Sequence, residues 1–313
     1  MQLYGDLFLA AAITQNDMTQ ATPIGFLNID KPGGMTSHDV VNRVRRLIGM
    51  RRVGHAGTLD PLATGVLLVG VGQATRLIEY LVGQPKTYVT TIRLGQTTAT
   101  YDADGEIVDE RPFHGTQTDI ENALSAYRGD IQQQPPMYSA IKRNGQPLYK
   151  LARQGVEVAR ALRDVTIYHL ELLSWQPPYL ELSVTCSAGT YIRSIAHDLG
   201  EQLGCGGHIT TLRRTEIGIF TTTNGIALAD LTSDNWNQFL LPLDTAVQHL
   251  PRLQVTAEAA QDLKNGKWLP HQADHRQAAL MRVYDPDGIF IGIVAAHDNI
   301  WRPRKMFLQT ENN

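Results

Sequence analysis

The chain has 313 residues, of which 42% are hydrophobic, so it is long enough to form one large or two ordinary domains with a buried core. Its formal net charge of −3 argues against a protein that coats nucleic acid without discrimination. Because Cys186 and Cys205 fit neither a zinc site nor a disulfide framework, and the apolar run at residues 7–13 is too short to span a bilayer, we expect a soluble cytoplasmic protein with reduced cysteines and no structural metal.

The first part of the chain has no hydrophobic periodicity, and signals for a helix follow it. Residues 1–23 are therefore expected to form a flexible extension outside the fold. Thr36 and Asp39 have capping-box spacing, and apolar residues then recur on one helical face up to Ile48. Three arginines lie off that face: Arg43, Arg45 and Arg46. The pattern predicts an amphipathic helix with a basic outer side.

Residues 54–67 place a single carboxylate, Asp60, in a glycine-flanked loop. Glycines allow unusual backbone conformations and close approach of a substrate, and Pro61 fixes the chain direction after the carboxylate. Leu59 and Leu62 are expected to anchor the loop to a core. A carboxylate that is rigidly supported and open on one side suits a nucleophile. A tight turn in which Asp60 caps a backbone amide fits the loop equally well.

The middle of the chain alternates strand, turn and helix signals. Residues 87–94 predict a strand that contains Tyr88, and Asp104-Gly105 predicts a hairpin turn. Thr118 and Glu121 have the spacing of a second capping box. Further signals are a hairpin turn at Asn144-Gly145, a short helix over 148–154, strands over 165–174 and 180–186, and a helix over 191–203 with Arg193 in its first turn.

The pattern changes after Leu250. It predicts a short helix over 256–264, a hairpin with residues 285–288 at its tip, and a strand over 301–307. Hairpins mixed with helices predict an α+β fold with a mainly antiparallel sheet, followed by a small strand-rich domain.

Two familiar binding motifs are present only in part. Residues 70–75 follow a strand but lack the third glycine and the acidic partner of a dinucleotide site, so we reject NAD. Asp102, Asp104 and Gly105 are similar to part of a calcium loop, but Phe113 stands where the final glutamate is needed. A turn is the favoured reading of that segment.

Basic residues cluster locally although the chain is acidic overall. One cluster, Arg43 to Arg52, lies just before the Asp60 loop, and a local basic surface of this kind can steer an RNA. Each cluster taken alone also fits a solvated helix face. The other clusters are Lys142 and Arg143, Lys150 and Arg153, Arg213 and Arg214, and Arg302 to Lys305.

The Asp60 loop and a series of further segments resemble the bacterial tRNA pseudouridine synthase B (TruB) family. Residues 54–67 are similar to nearly the whole family signature, in which the aspartate is the nucleophile. The other segments follow in the family's order: Asn28 to Pro32, Met35 to Val41, Lys86 to Tyr88, Leu94-Gly95, Gln134 to Pro136, Ser139 to Lys142, Gly189 to Arg193 and Leu212 to Arg214. The resemblance is strong from Gly25 to Phe220 and weak beyond it.

The resemblance implies the pseudouridine synthase fold, with a mixed, mainly antiparallel sheet flanked by helices over residues 24–250. It also implies a PUA-like RNA-binding domain over 251–313. The implied activity is isomerisation of uridine 55 in the T-loop of tRNA, after the base is flipped out of the T-arm stem-loop. No cofactor, no catalytic metal and no obligate protein partner are expected.

The same resemblance implies the site residues. Asp60 is the expected nucleophile, and Arg193 is its expected partner, since a guanidinium favours the charged carboxylate and fixes its direction. Tyr88 is expected to stack on the target base. The expected substrate-binding residues are His55, which helps to hold the T-loop open, Tyr191 and Leu212, which line the uracil pocket, and Lys31.

Two other classes of function remain open at this point. A non-catalytic RNA-binding protein could keep the same scaffold, but it has no need of Asp60, Tyr88 and Arg193 together. A carboxylate-dependent glycoside hydrolase needs a second acidic residue as proton donor, and the sequence places none convincingly near Asp60.

Overall fold

The computed structural model describes residues 23–143, 145–270 and 278–307 of the chain. Contacts divide it into two compact units, residues 24–249 and the described residues from Leu250 onward. The expected extension over residues 1–23 lies almost wholly outside the described residues. No helix in the described ranges is long and apolar enough to cross a membrane.

The first unit combines many short strands with five α-helices among its described residues. Its strands are β1 Gly25–Lys31, β2 Val53–His55, β3 Thr64–Val71, β4 Lys86–Leu94, β5 Gln96–Thr98, β6 Ile107–Glu110, β7 Gly129–Gln133, β8 Lys142–Arg143, β9 Gln146–Pro147, β10 Arg163–Gln176, β11 Tyr179–Cys186, β12 Gly207–Ile217, β13 Phe220–Thr221 and β14 Ile226–Ala227. Its helices are α1 Ser37–Ile48, α2 Ile78–Val82, α3 Gln117–Leu124, α4 Leu148–Ala152 and α5 Ile192–Gln202.

A large mixed sheet is the framework of this unit. Its main path runs β14-β1-β3-β12-β4-β11-β10-β7, with β2 on β3 and β13 on β12. The pairs are antiparallel except β1 with β14 and β3 with β12. The predicted α+β class with a mainly antiparallel sheet is confirmed. Strand β12 lies between β3 and β4, although it comes more than a hundred residues later in the chain.

Helix α1 forms as the sequence indicates. Thr36 and Asp39 make a capping box, in which the Thr36 hydroxyl accepts a hydrogen bond from the Asp39 N–H and the Asp39 carboxylate accepts one from the Thr36 N–H. Val40, Val41 and Val44 are buried against the core. Among the arginines of the basic cluster, the exposed ones are Arg46, Arg51 and Arg52, and the half-buried ones are Arg43 and Arg45.

The predicted capping box at Thr118 and Glu121 is wrong. Helix α3 begins two residues earlier, with Thr116 as its N-cap and Asp119 as the reciprocal acid. The two possible boxes overlap in the sequence, and the shorter aspartate reaches back to the Thr116 N–H at 2.7 Å. Glu121 instead accepts a hydrogen bond from the Gln117 side chain.

The predicted hairpins are present, with differences in the length of the turn. β5 pairs with β6, but the connection covers residues 99–106 rather than a two-residue turn at Asp104-Gly105. β8 pairs with β9 on either side of the predicted Asn144-Gly145 turn, in which Asn144 is outside the described residues. Strands β10 and β11 pair across Pro177-Pro178 as expected.

The second unit is rich in strands. Its elements are β15 Arg252–Gln254, α6 Ala257–Lys264, β16 Leu269–Pro270, β17 Leu280–Tyr284, β18 Phe290–His297 and β19 Ile300–Met306. The five strands form one sheet in the order β15-β17-β18-β19-β16. Its core includes Leu263, Met281, Val294 and Trp301, so this unit buries a hydrophobic cluster of its own.

Candidate active site

The loop that carries Asp60 is held from three directions. Ser37, at the start of α1, donates its hydroxyl hydrogen to the Leu59 carbonyl at 3.1 Å and accepts the Leu59 N–H at 2.8 Å. The Lys31 ammonium, at the end of β1, lies 3.4 Å from the Pro61 carbonyl. The Arg214 guanidinium donates to the carbonyls of Gly57 and Val66. Asp60 is therefore flanked on both sides by anchored backbone.

Arg193 is the direct partner of Asp60. The Arg193 Nε atom lies 3.0 Å from Asp60 Oδ2, and Nη1 lies 3.2 Å from Asp102 Oδ2. The same guanidinium donates hydrogen bonds to the carbonyls of Thr100 and Tyr138 at 3.0 and 2.7 Å. Arg193 is in the first turn of α5 and is 4% exposed. Its orientation is thus fixed by four groups from three parts of the chain: Asp60, the turn of Thr100 and Asp102, and Tyr138.

Asp102 corrects the expectation that no second acidic residue lies near Asp60. Its carboxylate is buried on the opposite side of the shared guanidinium, where it also accepts hydrogen bonds from the Thr100 hydroxyl and the Asp104 N–H. Asp102 does not line the cavity described below, so it is not placed to donate a proton to a bound sugar. The sequence predicts a turn at Asp102 to Gly105. The contact of Asp102 with Arg193 depends on the positions of β12 and α5, which come about a hundred residues later in the chain.

The charge of Asp60 is set by opposing effects. Burial raises the pKa of the Asp60 carboxyl above its ordinary value, and the nearby Arg193 and Lys31 oppose that rise. Asp102 adds to the rise because it is a second negative charge. The sequence led us to expect mainly the effect of Arg193, which favours the charged form. The net direction is the opposite, because desolvation is the larger effect.

A cavity of about 250 Å³ opens beside Asp60. Five of the seven predicted site residues line it together: Asp60, Tyr88, Tyr191, Arg193 and Leu212. The side chain of Asp60 is 37% exposed, whereas that of Arg193 is 5% exposed. The carboxylate therefore faces the cavity and the guanidinium lies behind it. His55 and Lys31 are not among the lining residues.

Tyr88 and Tyr191 line the cavity with aromatic side chains from two different elements, strand β4 and the start of helix α5. Tyr88 lies on β4 opposite Arg214 of β12, and burial raises the pKa of its phenol. Tyr191 is the N-cap residue of α5, where the Gln133 side chain binds both its N–H and its carbonyl. Burial also raises the pKa of Tyr191. Both phenols are therefore protonated at neutral pH.

His55 and Lys31 lie near the loop rather than in the cavity. His55 ends β2 and is half-buried, and burial together with the Arg214 charge lowers the pKa of its imidazole. Lys31 is fully buried, and burial lowers its pKa to about 8. The Lys31 ammonium also donates to the carbonyls of Pro32 and Met35, so it holds backbone on both sides of Gly33 and Gly34.

Arg214 and Lys86 are cavity residues that the sequence analysis did not assign to the site. Arg214, counted there among the surface basic clusters, is 1% exposed. Its strand neighbour two positions earlier, Leu212, is also buried, and residues two apart share a face of a strand. Lys86 is buried too, and burial lowers its pKa to about 8. No salt bridge to a carboxylate is recorded for either cation among the described residues.

The close approach of β3 to β12 puts Arg214 under the loop. Gly65 on β3 has φ +100°, and a Cβ atom there would lie 2.1 Å from the Arg214 carbonyl oxygen. Only glycine fits this contact. Within the described ranges, no group of three or more His, Cys, Asp or Glu side chains is arranged to hold a metal ion. The ionisable side chains that line the cavity are one carboxylate, three cations and two phenols.

Three family models match the chain, one after another, between residues 45 and 308. The model "TruB family pseudouridylate synthase (N terminal domain)" matches residues 45–192. The models "tRNA pseudouridylate synthase B C-terminal domain" and "tRNA Pseudouridine synthase II, C terminal" match residues 193–248 and 250–308.

Similar proteins carry the same description. The chain is 45% identical to the tRNA pseudouridine synthase B of Dehalococcoides mccartyi over 291 residues, which are 91% of this chain and 97% of that protein. It is also 45% identical to the tRNA pseudouridine synthase B of Pseudomonas aeruginosa, over 88% of this chain and 92% of that protein. Among solved structures, a Cbf5-Nop10-Gar1 complex contains a chain that matches with a TM-score of 0.71 and 27% identity, over 91% of this chain and 85% of that chain.

Proposed function

Since the chain belongs to the TruB family of pseudouridylate synthases, we propose that it isomerises uridine 55 in the T-loop of tRNA, with Asp60 as the nucleophile. The observation that carries the proposal is the 3.0 Å contact between Asp60 and Arg193 at the edge of a cavity lined by Tyr88, Tyr191 and Leu212. A carboxylate held by a guanidinium beside flat, apolar walls suits a flipped uracil base.

The reaction needs a charged carboxylate and no cofactor. The bond from ribose C1′ to uracil N1 breaks, the base turns, and a bond forms from C1′ to C5. The proton on C5 is lost and N1 gains one, so substrate and product are isomers. Asp60 can attack C1′, attack the base, or stabilise a charged sugar, and each route requires it to be ionised. Arg193 favours that state and directs the oxygen.

The other cavity residues hold the base. Tyr88, whose raised pKa keeps it a phenol, is suited to stack on uracil and to donate a hydrogen bond. Tyr191 and Leu212 supply further walls of the uracil pocket. His55, which stays neutral near pH 7, supports the opened T-loop at the edge of the site. Lys31 contributes to substrate binding indirectly, by holding the loop around Pro61.

The RNA is held by surfaces outside the cavity. Arg46, Arg51 and Arg52 are exposed and contact phosphates of the T-arm stem-loop, which fixes its register without reading its sequence. Residues 251–313 act as a PUA-like RNA-binding domain that adds affinity but no catalytic group. These contacts offset the few kcal/mol that base extrusion costs. The protein acts on tRNA in the cytoplasm without an obligate protein partner.

One assay tests the activity, the position and the nucleophile. The purified protein is incubated with an unmodified tRNA transcript in excess EDTA, and pseudouridine is mapped at nucleotide resolution. We expect modification at position 55 alone, none in a transcript with cytidine at that position, and none with Asp60→Asn. Pseudouridine made by a pure Asp60→Asn preparation would exclude Asp60 as the nucleophile. Tight tRNA binding without any modification would favour an RNA-binding protein that is not an enzyme.

A further inference from the structure

Tyr101 has a backbone conformation that tyrosine rarely adopts. Its φ angle is +64°, and the described non-glycine residues with positive φ are Tyr101 and Asp298. A residue with a Cβ atom is sterically disfavoured in the left-handed region, so the surrounding structure must hold it there. Backbone hydrogen bonds link Tyr101 to Thr98 and to Ile209 of β12, each at 3.2 Å.

The ring of Tyr101 is also fixed. It stacks on the His197 imidazole with ring centroids 3.8 Å apart and planes inclined by 6°. His197 lies on α5 four residues after Arg193, so the two side chains share one face of the helix. The Nδ1 atom of His197 is buried and has no hydrogen-bond partner among the described residues. The ring stack therefore connects His197 to the turn that contains Tyr101.

The residues on both sides of Tyr101 bind Arg193. The Thr100 carbonyl and the Asp102 carboxylate both accept from Arg193 Nη1, at 3.0 and 3.2 Å. A change in the φ angle of Tyr101 would rotate these two acceptors relative to each other. The left-handed conformation is thus what allows one guanidinium nitrogen to bind both, while Nε of the same group contacts Asp60.

We propose that the Tyr101–His197 stack is a positioning pair, which holds the left-handed backbone at Tyr101 and thereby orients Arg193 towards Asp60. The inference rests on the proposed role of Asp60 and Arg193. Burial lowers the pKa of His197, so the stacked ring is a neutral imidazole near pH 7. Neither ring lines the cavity beside Asp60, so the pair acts on the reaction through Arg193.

Two substitutions at Tyr101 separate backbone conformation from packing. Tyr101→Ala and Tyr101→Asn both remove the ring, but asparagine tolerates the left-handed region far better than alanine does. We expect Tyr101→Ala to lower the single-turnover rate about tenfold and Tyr101→Asn to lower it less than about threefold. Both variants should bind tRNA with an unchanged Kd. Equal rates for the two variants, or a loss in Kd instead of rate, would overturn the inference.

Substitutions at His197, combined with those at Tyr101, complete a double-mutant cycle. His197→Ala should lower the rate about tenfold, and His197→Phe, which keeps a flat ring, should retain it within about threefold. In the Tyr101→Asn background, His197→Ala should have almost no further effect, because the backbone no longer needs the stack. Full additivity of the two substitutions, or a wild-type rate for His197→Ala, would contradict the proposal.

A readout without RNA separates this inference from the proposed function. The Nε–H signal of Arg193 in a ¹H–¹⁵N spectrum is assigned by its loss in Arg193→Lys. It should shift in Tyr101→Ala and His197→Ala and stay in place in Tyr101→Asn and His197→Phe. That pattern in a protein that leaves tRNA unmodified would support the positioning pair and reject the proposed function. Unchanged signals in all four variants would reject the pair, whatever the activity.

Discussion

Replacing Ser37 with alanine is expected to destabilise the protein and to slow the reaction, because its hydroxyl group holds the residue before Asp60. The hydroxyl donates to the Leu59 carbonyl and accepts from the Leu59 N–H, and both residues are buried. Each lost hydrogen bond is worth about 1 kcal/mol, and a buried group left without a partner costs about 1–3 kcal/mol. We expect the free energy of unfolding to fall by about 3 kcal/mol, which corresponds to a decrease in Tm of roughly 6–12 °C for a unit of this size.

The assay combines thermal unfolding with single-turnover kinetics at saturating tRNA. Because the loop before Asp60 loses its anchor, the rate should fall about tenfold or more while the Kd for tRNA stays constant. Thr36→Ala is the matched control: it removes the N-cap of the same helix and about 1 kcal/mol of stability, but it does not touch the loop. A Ser37→Ala protein with a lower Tm and the wild-type rate would refute the role of Ser37 in placing Asp60.

Three further predictions follow from the site and the domain division. Asp102→Asn should lower the single-turnover rate about tenfold to a hundredfold and leave the tRNA Kd unchanged, because Arg193 loses one of its two carboxylates; an unchanged rate would show that the charge of Asp102 is not needed to orient Arg193. Because the pKa of Asp60 is raised in the folded state, the rate should rise with pH with a midpoint above that of an ordinary carboxyl, and wild type should lose stability relative to Asp60→Asn as pH rises through that range. The free energy of unfolding of Asp60→Asn minus that of wild type, measured by urea unfolding, should therefore be larger at about pH 7 than at about pH 3. A smaller value of this difference at pH 7 would contradict the raised pKa. Truncation after Leu250 should raise the tRNA Kd more than it lowers the single-turnover rate, and lost chemistry with unchanged binding in a folded protein would disprove the division of labour.

Local patterns predicted the elements well where their signals are short in range. The capping box of α1, the strand at Tyr88 and the helix with Arg193 in its first turn depend on residues that are close together in the sequence. The overlapping Thr-x-x-acid pairs at 116 and 118 show the limit of such signals, because both boxes fit the sequence. Only the side chain that reaches back to the free N–H decides between them.

The candidate site was predicted in part. Most of its residues lie in segments that resemble family motifs, but the contacts between them join residues that are far apart in the sequence. The contact between Asp60 and Arg193 was expected, whereas Asp102 and Arg214 were assigned to a turn and to the surface. Arg214 shares a strand face with Leu212, which was the signal available for its burial. Asp102 had no such signal, because 91 residues separate it from Arg193 and the sheet order brings them together.

The position of β12 between β3 and β4 has a consequence for synthesis of the protein. Until residues 207–217 leave the ribosome, the edge of β4 that pairs with β12 has no partner, nor does β3 at Thr64 and Gly65, and an unpaired strand edge promotes aggregation. The anchor that Arg214 provides beneath the Asp60 loop is also missing from any shorter nascent chain. Growing chains are therefore expected to need protection by a chaperone up to this length and to become resistant to protease in one step beyond it. Stalled chains that end before and after β12 would show this difference directly, and gradual protection from residue 94 onward would contradict it.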